Sequence, residues 1–213
     1  MMVNSWTRSE YYRVKAILHE KQPMRMDLFR LMQEKQYISC VENSKENIFK
    51  QYLEALDEMG ELNAEEMELK NGIGGEFLIV IEKTVMQKVY KMVILMAFYN
   101  NGNIKMALTE KDILETWKGF FSMENHWVDL GVESYHDYMG ITDEQHLSNA
   151  RKNPIKFLIS SGKGFFVDKP GYELALSDEL KDIVKSKVFI DHFGDIVEYR
   201  INEYFRKKNY SFS

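Results

Sequence analysis

Apolar residues recur three or four positions apart along most of the chain, which is the pattern of amphipathic helices. In the first half this pattern predicts three helices, with Pro23 in the first turn of the second helix and Gly60 ending the third. The apolar positions that mark these helices are Tyr11, Val14, Ile17 and Leu18; Met26, Phe29, Leu31 and Met32; and Ile48, Phe49, Tyr52, Leu53, Leu56 and Met59.

The pattern changes after the third helix. Charged and apolar residues alternate over residues 66–70, which is typical of a half-exposed strand. The segment Asn-Gly-Ile-Gly-Gly at residues 71–75 then predicts a tight turn, and the apolar run 77–81 predicts a returning strand. Three helices followed by a β-hairpin is the element order of a winged helix, so we expect this hairpin to be a wing.

The second half repeats that order. Residues 89–99 predict an apolar helix, and residues 104–108 predict a short strand. Thr109 and Asp112 form a possible capping box at the start of the next helix. A further helix is predicted to have Pro154 in its first turn, because proline is tolerated there.

A second hairpin follows at residues 165–176, with Asp-Lys-Pro-Gly at residues 168–171 as its turn. A long helical region is predicted to continue from there to about Lys208, interrupted near Gly194. These elements together predict a mostly α (α+β) protein with two tandem winged-helix-like domains and a C-terminal helical extension. The predicted boundaries are residues 1–83, 84–176 and 177–213.

Net charge, cysteine content and the length of apolar runs indicate the protein's expected partners and its expected location in the cell. The net charge is −5, so any nucleic-acid contact requires a local basic patch. The single cysteine, Cys40, precludes an internal disulfide and is expected to be a small core residue in a reducing compartment. No apolar run approaches the about 20 residues that span a bilayer, and no signal-peptide pattern is present. We therefore expect a soluble, cytoplasmic protein with no membrane partner.

The motifs in the sequence give little support for an enzyme. Glu68-Leu69-Lys70 has the Glu-x-Lys spacing of metal-dependent nucleases, but the nearest upstream aspartate, Asp57, lies in a predicted helix. His126, His136 and His146 lack the close spacing that places two metal ligands on one helix face. The chain also has no phosphate-binding loop and no nucleophile elbow. The sequence therefore predicts no catalytic residue, no metal and no other cofactor.

Two basic segments instead favour DNA as a partner. Residues 148–170 contain five lysine or arginine residues and one acid, Asp168, which gives a local net charge of +4. These residues cover the helix and wing that are expected to contact DNA in the second domain. Basic and aromatic residues also interleave near the C-terminus. The predicted nucleic-acid-binding residues are Asn149, Arg151, Lys152, Asn153, Lys156, Lys163 and Lys169, together with Arg206, Lys207 and Lys208.

Several segments, taken in order, resemble a known family. They are MRMDLFRLM, IFKQYLEAL, EFLIVIEKTVMQKVYKMVILMAF, NPIKFL, FF and DIVEYRINEYF. In this respect the chain is similar to the C-terminal region of DEAD/DEAH-type superfamily 2 helicases from bacterial restriction and phage-defence loci. The resemblance implies a non-catalytic accessory region that helps a helicase motor hold DNA or docks a nuclease partner. The family's ATPase motifs belong to its motor domains and are not in this chain, so ATP hydrolysis is not carried over.

Two other functions stay open at this point. One is a protein–protein adaptor, which the negative net charge and the acidic third helix of the first half favour. The other is a winged-helix regulator of transcription, which would be expected to form a symmetric dimer on paired half-sites. Residues 122–145 have no predicted role.

Overall fold

A computed structural model describes residues 3–32, 41, 47–100 and 102–210 of the chain. The protein is mostly helical with small antiparallel sheets, which confirms the predicted mostly α character. Among the described residues, none of the helices combines the length and apolar character needed to cross a membrane. Cys40 lies outside the described residues, so its expected core position stays a prediction.

Short helices account for most of the structure, and one long helix lies at the C-terminal end. The helices with described bounds are α1 (Ser5–Ile17), α2 (Arg25–Leu31), α3 (Tyr52–Met59), α4 (Ala64–Asn71), α5 (Ile73–Lys83), α6 (Tyr90–Phe98), α7 (Glu110–Phe121), α8 (Tyr135–Met139), α9 (Asp143–Ala150), α10 (Lys156–Ser161) and α11 (Lys187–Tyr210). A π-helical turn, Arg151–Ile155, joins α9 to α10, and 3-10 turns lie at Ile48–Lys50, His126–Leu130, Asp178–Leu180 and Ile183–Lys185. The strands are β1 (Tyr99–Asn100), β2 (Asn103–Ile104), β3 (Ala107–Leu108), β4 (Phe166–Val167) and β5 (Leu174–Leu176).

The chain divides into two compact units. Unit 1 consists of Met1–Lys83 and Asp191–Glu203, and unit 2 consists of Thr84–Ile190 and Tyr204–Ser213. The middle of α11 thus belongs to unit 1 and both of its ends belong to unit 2. The boundaries predicted from the sequence stay predictions.

Aromatic residues form the core of unit 1. The rings of Phe29, Phe49 and Tyr199 form a cluster, with centroid separations of 5.1 to 6.0 Å. Phe77 of α5 stacks on Phe193 of α11 at 6.2 Å. Because Phe49, Tyr199, Phe77 and Phe193 are fully buried, these contacts fix the middle of α11 against the short helices of unit 1.

The predicted wing of the first half is wrong, because both of its strands are helices. Residues 66–70 lie in α4, and residues 77–81 lie in α5. The side chain of Asn63 accepts a hydrogen bond from the backbone N–H of Glu66 at 2.9 Å, and Glu66 accepts one from the Asn63 N–H at 3.1 Å. This reciprocal capping box starts α4 in a segment whose alternation alone favoured a strand.

The glycines between α4 and α5 permit close packing instead of a hairpin turn. None of the glycines at positions 72, 74 and 75 has a positive φ angle. A Cβ atom added at Gly75 would lie 2.4 Å from the carbonyl oxygen of Lys70, which is too close for any other residue. Glycine at this position therefore lets α5 begin directly against the end of α4.

Unit 2 is organised around a small sheet and two apolar helices. Strand β5 lies between β3 and β4, is antiparallel to both, and pairs Ala175 with Ala107 and with Val167. Strands β1 and β2 form a separate antiparallel pair. Trp117 and Phe121 of α7 are fully buried, with ring centroids 4.8 Å apart. Both rings also pack against Tyr90 of α6, at 5.2 and 5.8 Å, and Phe98 of α6 lies 6.3 Å from Phe166 of β4. The core of unit 2 is thus aromatic, as in unit 1.

Several elements predicted for the second half are confirmed. They are the apolar helix α6, the capping box at Thr109 and Asp112, and the hairpin of β4 and β5. Two details are wrong. Pro154 lies inside a continuous helical segment and not in its first turn, and α11 continues through Gly194 without a break.

Candidate nucleic-acid interface

The basic segment of unit 2 forms one continuous helical stretch, α9 followed by the π turn and α10. It begins with a capping box in which the Thr142 N–H donates to Gln145 Oε1 at 2.8 Å and the Gln145 N–H donates to Thr142 Oγ1 at 3.3 Å. Leu147, Ile155 and Leu158 are buried on its inner side. The helix is therefore anchored along one side, and its opposite side faces solvent.

The π turn explains how proline is accommodated within this helix. Pro154 has no N–H and cannot donate the backbone hydrogen bond that an α-helix needs at this position. Arg151–Ile155 adopts π-helical geometry, and Pro154 is buried there. A π turn of this kind inserts an extra residue without ending the helix, and such turns are frequent at functional sites.

The exposed side of this helix carries predicted binding residues. Asn149, Lys152, Asn153 and Lys156 are exposed. The adjacent pair 152–153 lies three or four residues from both Asn149 and Lys156, so the four side chains share one side of the helix. Lys163 is exposed in the turn after α10, where its φ angle is +52°. We call these five residues the basic face. Within the described part of the chain, its three lysines form no ion pair.

The basic face also lacks acidic neighbours in the sequence. Residues 146–167 contain no aspartate or glutamate. The only acids of this helix, Asp143 and Glu144, lie in the first turn of α9, before the basic face begins. Among the described residues, neither acid forms an ion pair with the three lysines. Such an array can contact the phosphate backbone of a nucleic acid, and asparagine can bond to phosphates or base edges.

Arg151 has a different environment from the basic face. Its Nε and Nη2 atoms donate to the two carboxylate oxygens of Glu173 at 2.7 Å each, and Nη2 also donates to Glu110 at 2.5 Å. Glu144 lies 3.7 Å away. The hydrogen bond with Glu173 is the main reason that the pKa of Arg151 is raised. Arg151 therefore joins the helix to α7 and to the residue before β5, and its charge is balanced by carboxylates.

Lys169 lies in the hairpin between β4 and β5. The Tyr172 N–H donates to the Lys169 carbonyl oxygen at 3.0 Å, and Gly171 between them has a φ angle of +86°. Lys169 Nζ is 6.0 Å from the centroid of the Tyr172 ring. Both side chains are exposed, so the hairpin presents a cation beside an aromatic ring.

The C-terminal basic residues lie in another part of unit 2. Lys208 forms an ion pair with the buried carboxylate of Asp129. Burial, followed by a hydrogen bond with the same carboxylate, raises the pKa of Tyr204. Arg206 is half-buried and Lys207 is exposed. At least Lys208 thus has a structural role, which the sequence pattern did not suggest.

Residues 122–145, which had no predicted role, contain Asp129, the partner of Lys208 and Tyr204. The ring of His126 lies between those of Phe120 and Phe205, with centroid distances of 4.5 and 4.4 Å. The backbone carbonyl of Asp129 accepts a hydrogen bond from the Tyr90 hydroxyl at 2.5 Å. This segment therefore holds the C-terminal end of α11 within unit 2.

Unit 1 contains a buried ionic cluster that the sequence did not reveal. Arg25 Nη1 donates to Asp195 Oδ2 at 2.9 Å, and Nη2 bonds to Glu82. The two oxygens of Asp195 also accept the backbone N–H groups of Arg25 and Met26, at 3.1 and 2.9 Å. Burial is the main cause that raises the pKa of both carboxyl groups, although Arg25 opposes the shift. The cluster joins α2, α5 and α11.

A second buried pair lies beside this cluster in unit 1. His192 Nε2 lies 3.1 Å from Glu66 Oε1, and Gln22 donates to both oxygens of Glu66 at 2.8 Å. Burial alone would raise the pKa of Glu66, but the hydrogen bonds from His192, Gln22 and the Asn63 backbone lower it below its ordinary value. Because every carboxylate oxygen has a partner, this pair resembles a structural contact more than a reactive one.

The Glu-x-Lys motif does not form a site in unit 1. Lys70 Nζ lies 2.9 Å from Asp57 and 3.4 Å from Glu54, and Glu68 is exposed on α4. Across the residues that the structure describes, no group of three histidine, cysteine or acidic side chains is arranged to hold a metal ion.

Comparison with protein-family models, curated proteins and solved structures finds no match to the chain.

Proposed function

We propose that this chain is a non-catalytic, DNA-binding accessory domain or subunit, and that unit 2 makes the contacts. The observation that carries the proposal is the basic face. It has Lys152, Lys156 and two asparagines on the solvent side of one anchored helix and Lys163 in the turn that follows, and these lysines form no ion pair with the described residues. The association with a helicase or nuclease system rests on the sequence resemblance and belongs to the same proposal.

The order of elements in unit 2 supports a winged-helix interpretation. Helix α6, strand β3, helix α7, the α9–α10 helix and strands β4 and β5 occur in this order, and β5 lies between β3 and β4. The β1–β2 pair precedes β3, and a 3-10 turn and α8 lie between α7 and α9. In winged helices the last helix before the hairpin enters the major groove, and the hairpin is the wing. The basic face lies on that helix, and Lys169 lies in that hairpin. Because the two segments predicted as the first wing, residues 66–70 and 77–81, are helical, we assign the contacts to unit 2 alone.

Arg151 acts as a positioning residue in this proposal. Its bonds to Glu173 and Glu110 join the helix to the base of the hairpin and to α7. Phosphate contacts then come from Lys152, Lys156 and Lys163. Each phosphate contact on duplex DNA contributes about −0.9 to the slope of log K against log salt, so three contacts contribute about −2.7.

The test replaces the three lysines together by glutamine and follows binding of a fluorescein-labelled duplex by anisotropy at several salt concentrations. We expect weaker binding at low salt and a slope that is less steep by about 2.7. The matched control replaces Lys111, Lys181 and Lys185, three other exposed lysines of unit 2, by glutamine. Both variants lose three positive charges, so a purely global charge effect would weaken binding equally in both. Equal effects, or no binding by the wild type at low salt, would overturn the proposal.

A second candidate function, a protein–protein adaptor, is favoured by residues 122–145. This segment contains six acidic residues and no lysine or arginine. It also exposes four large apolar side chains, those of Met123, Val128, Tyr135 and Met139. An apolar surface with acidic neighbours suits a basic protein partner. A wild-type protein that binds no DNA at low salt would favour this function over the first.

A further inference from the structure

Two large aromatic side chains lie exposed next to the basic face. Phe157 of α10 follows Lys156 directly and is 48% exposed, and Tyr172 in the hairpin is 44% exposed. Tyr172 also precedes Glu173, which binds Arg151 at the start of the basic face. One ring therefore lies within the helix of the basic face, and the other lies in the hairpin that Arg151 joins to that helix.

Each ring has a lysine ammonium group near its face. Lys91 Nζ is 5.8 Å from the centroid of Phe157, and Lys169 Nζ is 6.0 Å from that of Tyr172. Lys91 also donates to the hydroxyl of Thr84 at 3.1 Å and to the carbonyl oxygen of Val85 at 2.9 Å. A ring that can stack on a base, with a cation within reach of the adjoining phosphate, is the combination found in single-strand binding sites.

Paired bases do not offer their faces to such rings, because the faces are covered by stacking within the duplex. Unpaired nucleotides do offer them, and aromatic stacking accepts any base. We propose that unit 2 binds DNA in which a duplex continues into a single strand. The duplex backbone contacts the basic face, and unpaired nucleotides stack on Phe157 and Tyr172. This inference rests on the proposed function and specifies the form of DNA that is bound.

The test compares a blunt duplex with the same duplex carrying a ten-nucleotide single-stranded overhang, again by anisotropy. The wild type is expected to bind the overhang DNA more tightly, by at least about fivefold for each stacked base, from the lower end of measured stacking contributions. Phe157→Ala combined with Tyr172→Ala is expected to remove this preference and to leave blunt-duplex affinity unchanged. The unchanged blunt-duplex affinity also serves as the check that the variant is folded.

The matched control replaces two other exposed aromatic residues, Tyr12→Ala and Tyr135→Ala, and is expected to keep the preference. Equal affinity of the wild type for both DNAs, with binding still weakened in the Lys152, Lys156 and Lys163 variant, would overturn this inference alone. The inference would also be overturned if the variant without both rings still preferred the overhang DNA. Absence of binding to either DNA would overturn the proposed function as well.

Discussion

Replacing Arg25 by methionine tests how unit 1 tolerates its buried charges. Arg25 is completely buried and forms ion pairs with Glu82 of α5 and Asp195 of α11. Methionine preserves much of the apolar packing of the arginine stem but leaves both carboxyl groups without their cation. The guanidinium group also lies 5.2 Å from the centroid of the Tyr52 ring, and that contact is lost too.

The expected loss is large because the charges are buried. Removing one partner of a buried ion pair typically lowers the free energy of unfolding by about 3–5 kcal/mol. Since domains are usually stable by only about 5–15 kcal/mol, unit 1 is expected to be severely destabilised at neutral pH. The loss of two salt-bridged connections, α2 to α5 and α2 to α11, favours the upper part of that range.

The pH dependence follows from the direction of the pKa shifts. Burial raises the pKa of Glu82 and Asp195 above their ordinary values of 4.5 and 3.8, and Arg25 is the main influence that lowers them. A raised pKa means that the folded state binds protons more tightly than the unfolded state, so stability falls as pH rises through the folded-state pKa. Removing Arg25 raises both values further. Arg25→Met is therefore expected to lower the free energy of unfolding more at about pH 8 than at about pH 5.

The measurement is urea unfolding followed by far-ultraviolet circular dichroism at both pH values. Hydrogen exchange of peptides from α2 and α5 locates the loss, because two units need not unfold in one transition. Arg30→Met is the matched control, since the Arg30–Glu198 pair also joins α2 to α11 but its side chains are 58% and 48% exposed. Removal of this exposed ion pair is expected to lower the free energy of unfolding by less than about 1 kcal/mol.

A further variant separates charge from packing. Combining Arg25→Met with Glu82→Gln and Asp195→Asn removes all three charges, and this variant is expected to recover much of the lost stability. If Arg25→Met loses no more stability than Arg30→Met, or if its deficit does not change with pH, then uncompensated carboxylates are not the cause and the reasoning is refuted.

Three other predictions each concern a single position. Gly75→Ala is expected to lower the free energy of unfolding by about 1–3 kcal/mol, because the added Cβ would overlap the backbone of Lys70 and Leu69. Gly119→Ala in α7 is expected to raise the free energy of unfolding by about 0.5–1 kcal/mol. A Cβ added at Gly119 would have no heavy atom within 4 Å outside the neighbouring backbone of its own helix. Urea unfolding measures both, and the same sign for the two would contradict this interpretation. Arg151→Gln is expected to lower the free energy of unfolding by only about 1 kcal/mol, because the ion pairs of this arginine are part-exposed. It should leave the salt slope of DNA binding unchanged; a slope less steep by about 0.9 would instead identify Arg151 as a phosphate contact.

The failure of the first wing prediction has a local cause and a tertiary one. Alternation over residues 66–70 spans too few positions to outweigh the Asn63–Glu66 capping box, which was readable in the sequence. The use of Gly75 was not readable, because glycine suits both a turn and a close contact. Which of the two applies depends on the packing of α5 in unit 1, and no local pattern contains that information.

The second half was more predictable because its signals agree with one another. Its capping residues, apolar positions and turn residues all indicate the same elements, as at Thr109 and in the hairpin after Phe166. The basic residues of the candidate interface were likewise found by composition. Their partners were not, because Arg151 meets acids 22 and 41 positions away and Lys208 meets one 79 positions away. The structure was needed to separate lysines that present their charge from basic residues that are balanced by carboxylates.

The net charge of −5 is compatible with the DNA binding that we propose for unit 2, because the charges are separated along the chain. Residues 122–145 contain six acids without a lysine or arginine, and residues 146–167 contain four basic residues without an acid. At physiological ionic strength charges are screened beyond about 8 Å, so a phosphate near the basic face responds mainly to the nearest side chains. The acidic segment, whose Glu144 lies 3.7 Å from Arg151, then repels a backbone that approaches from its own side. In the proposed complex, this repulsion would direct DNA towards the basic face, whose three lysines form no ion pair with the described residues.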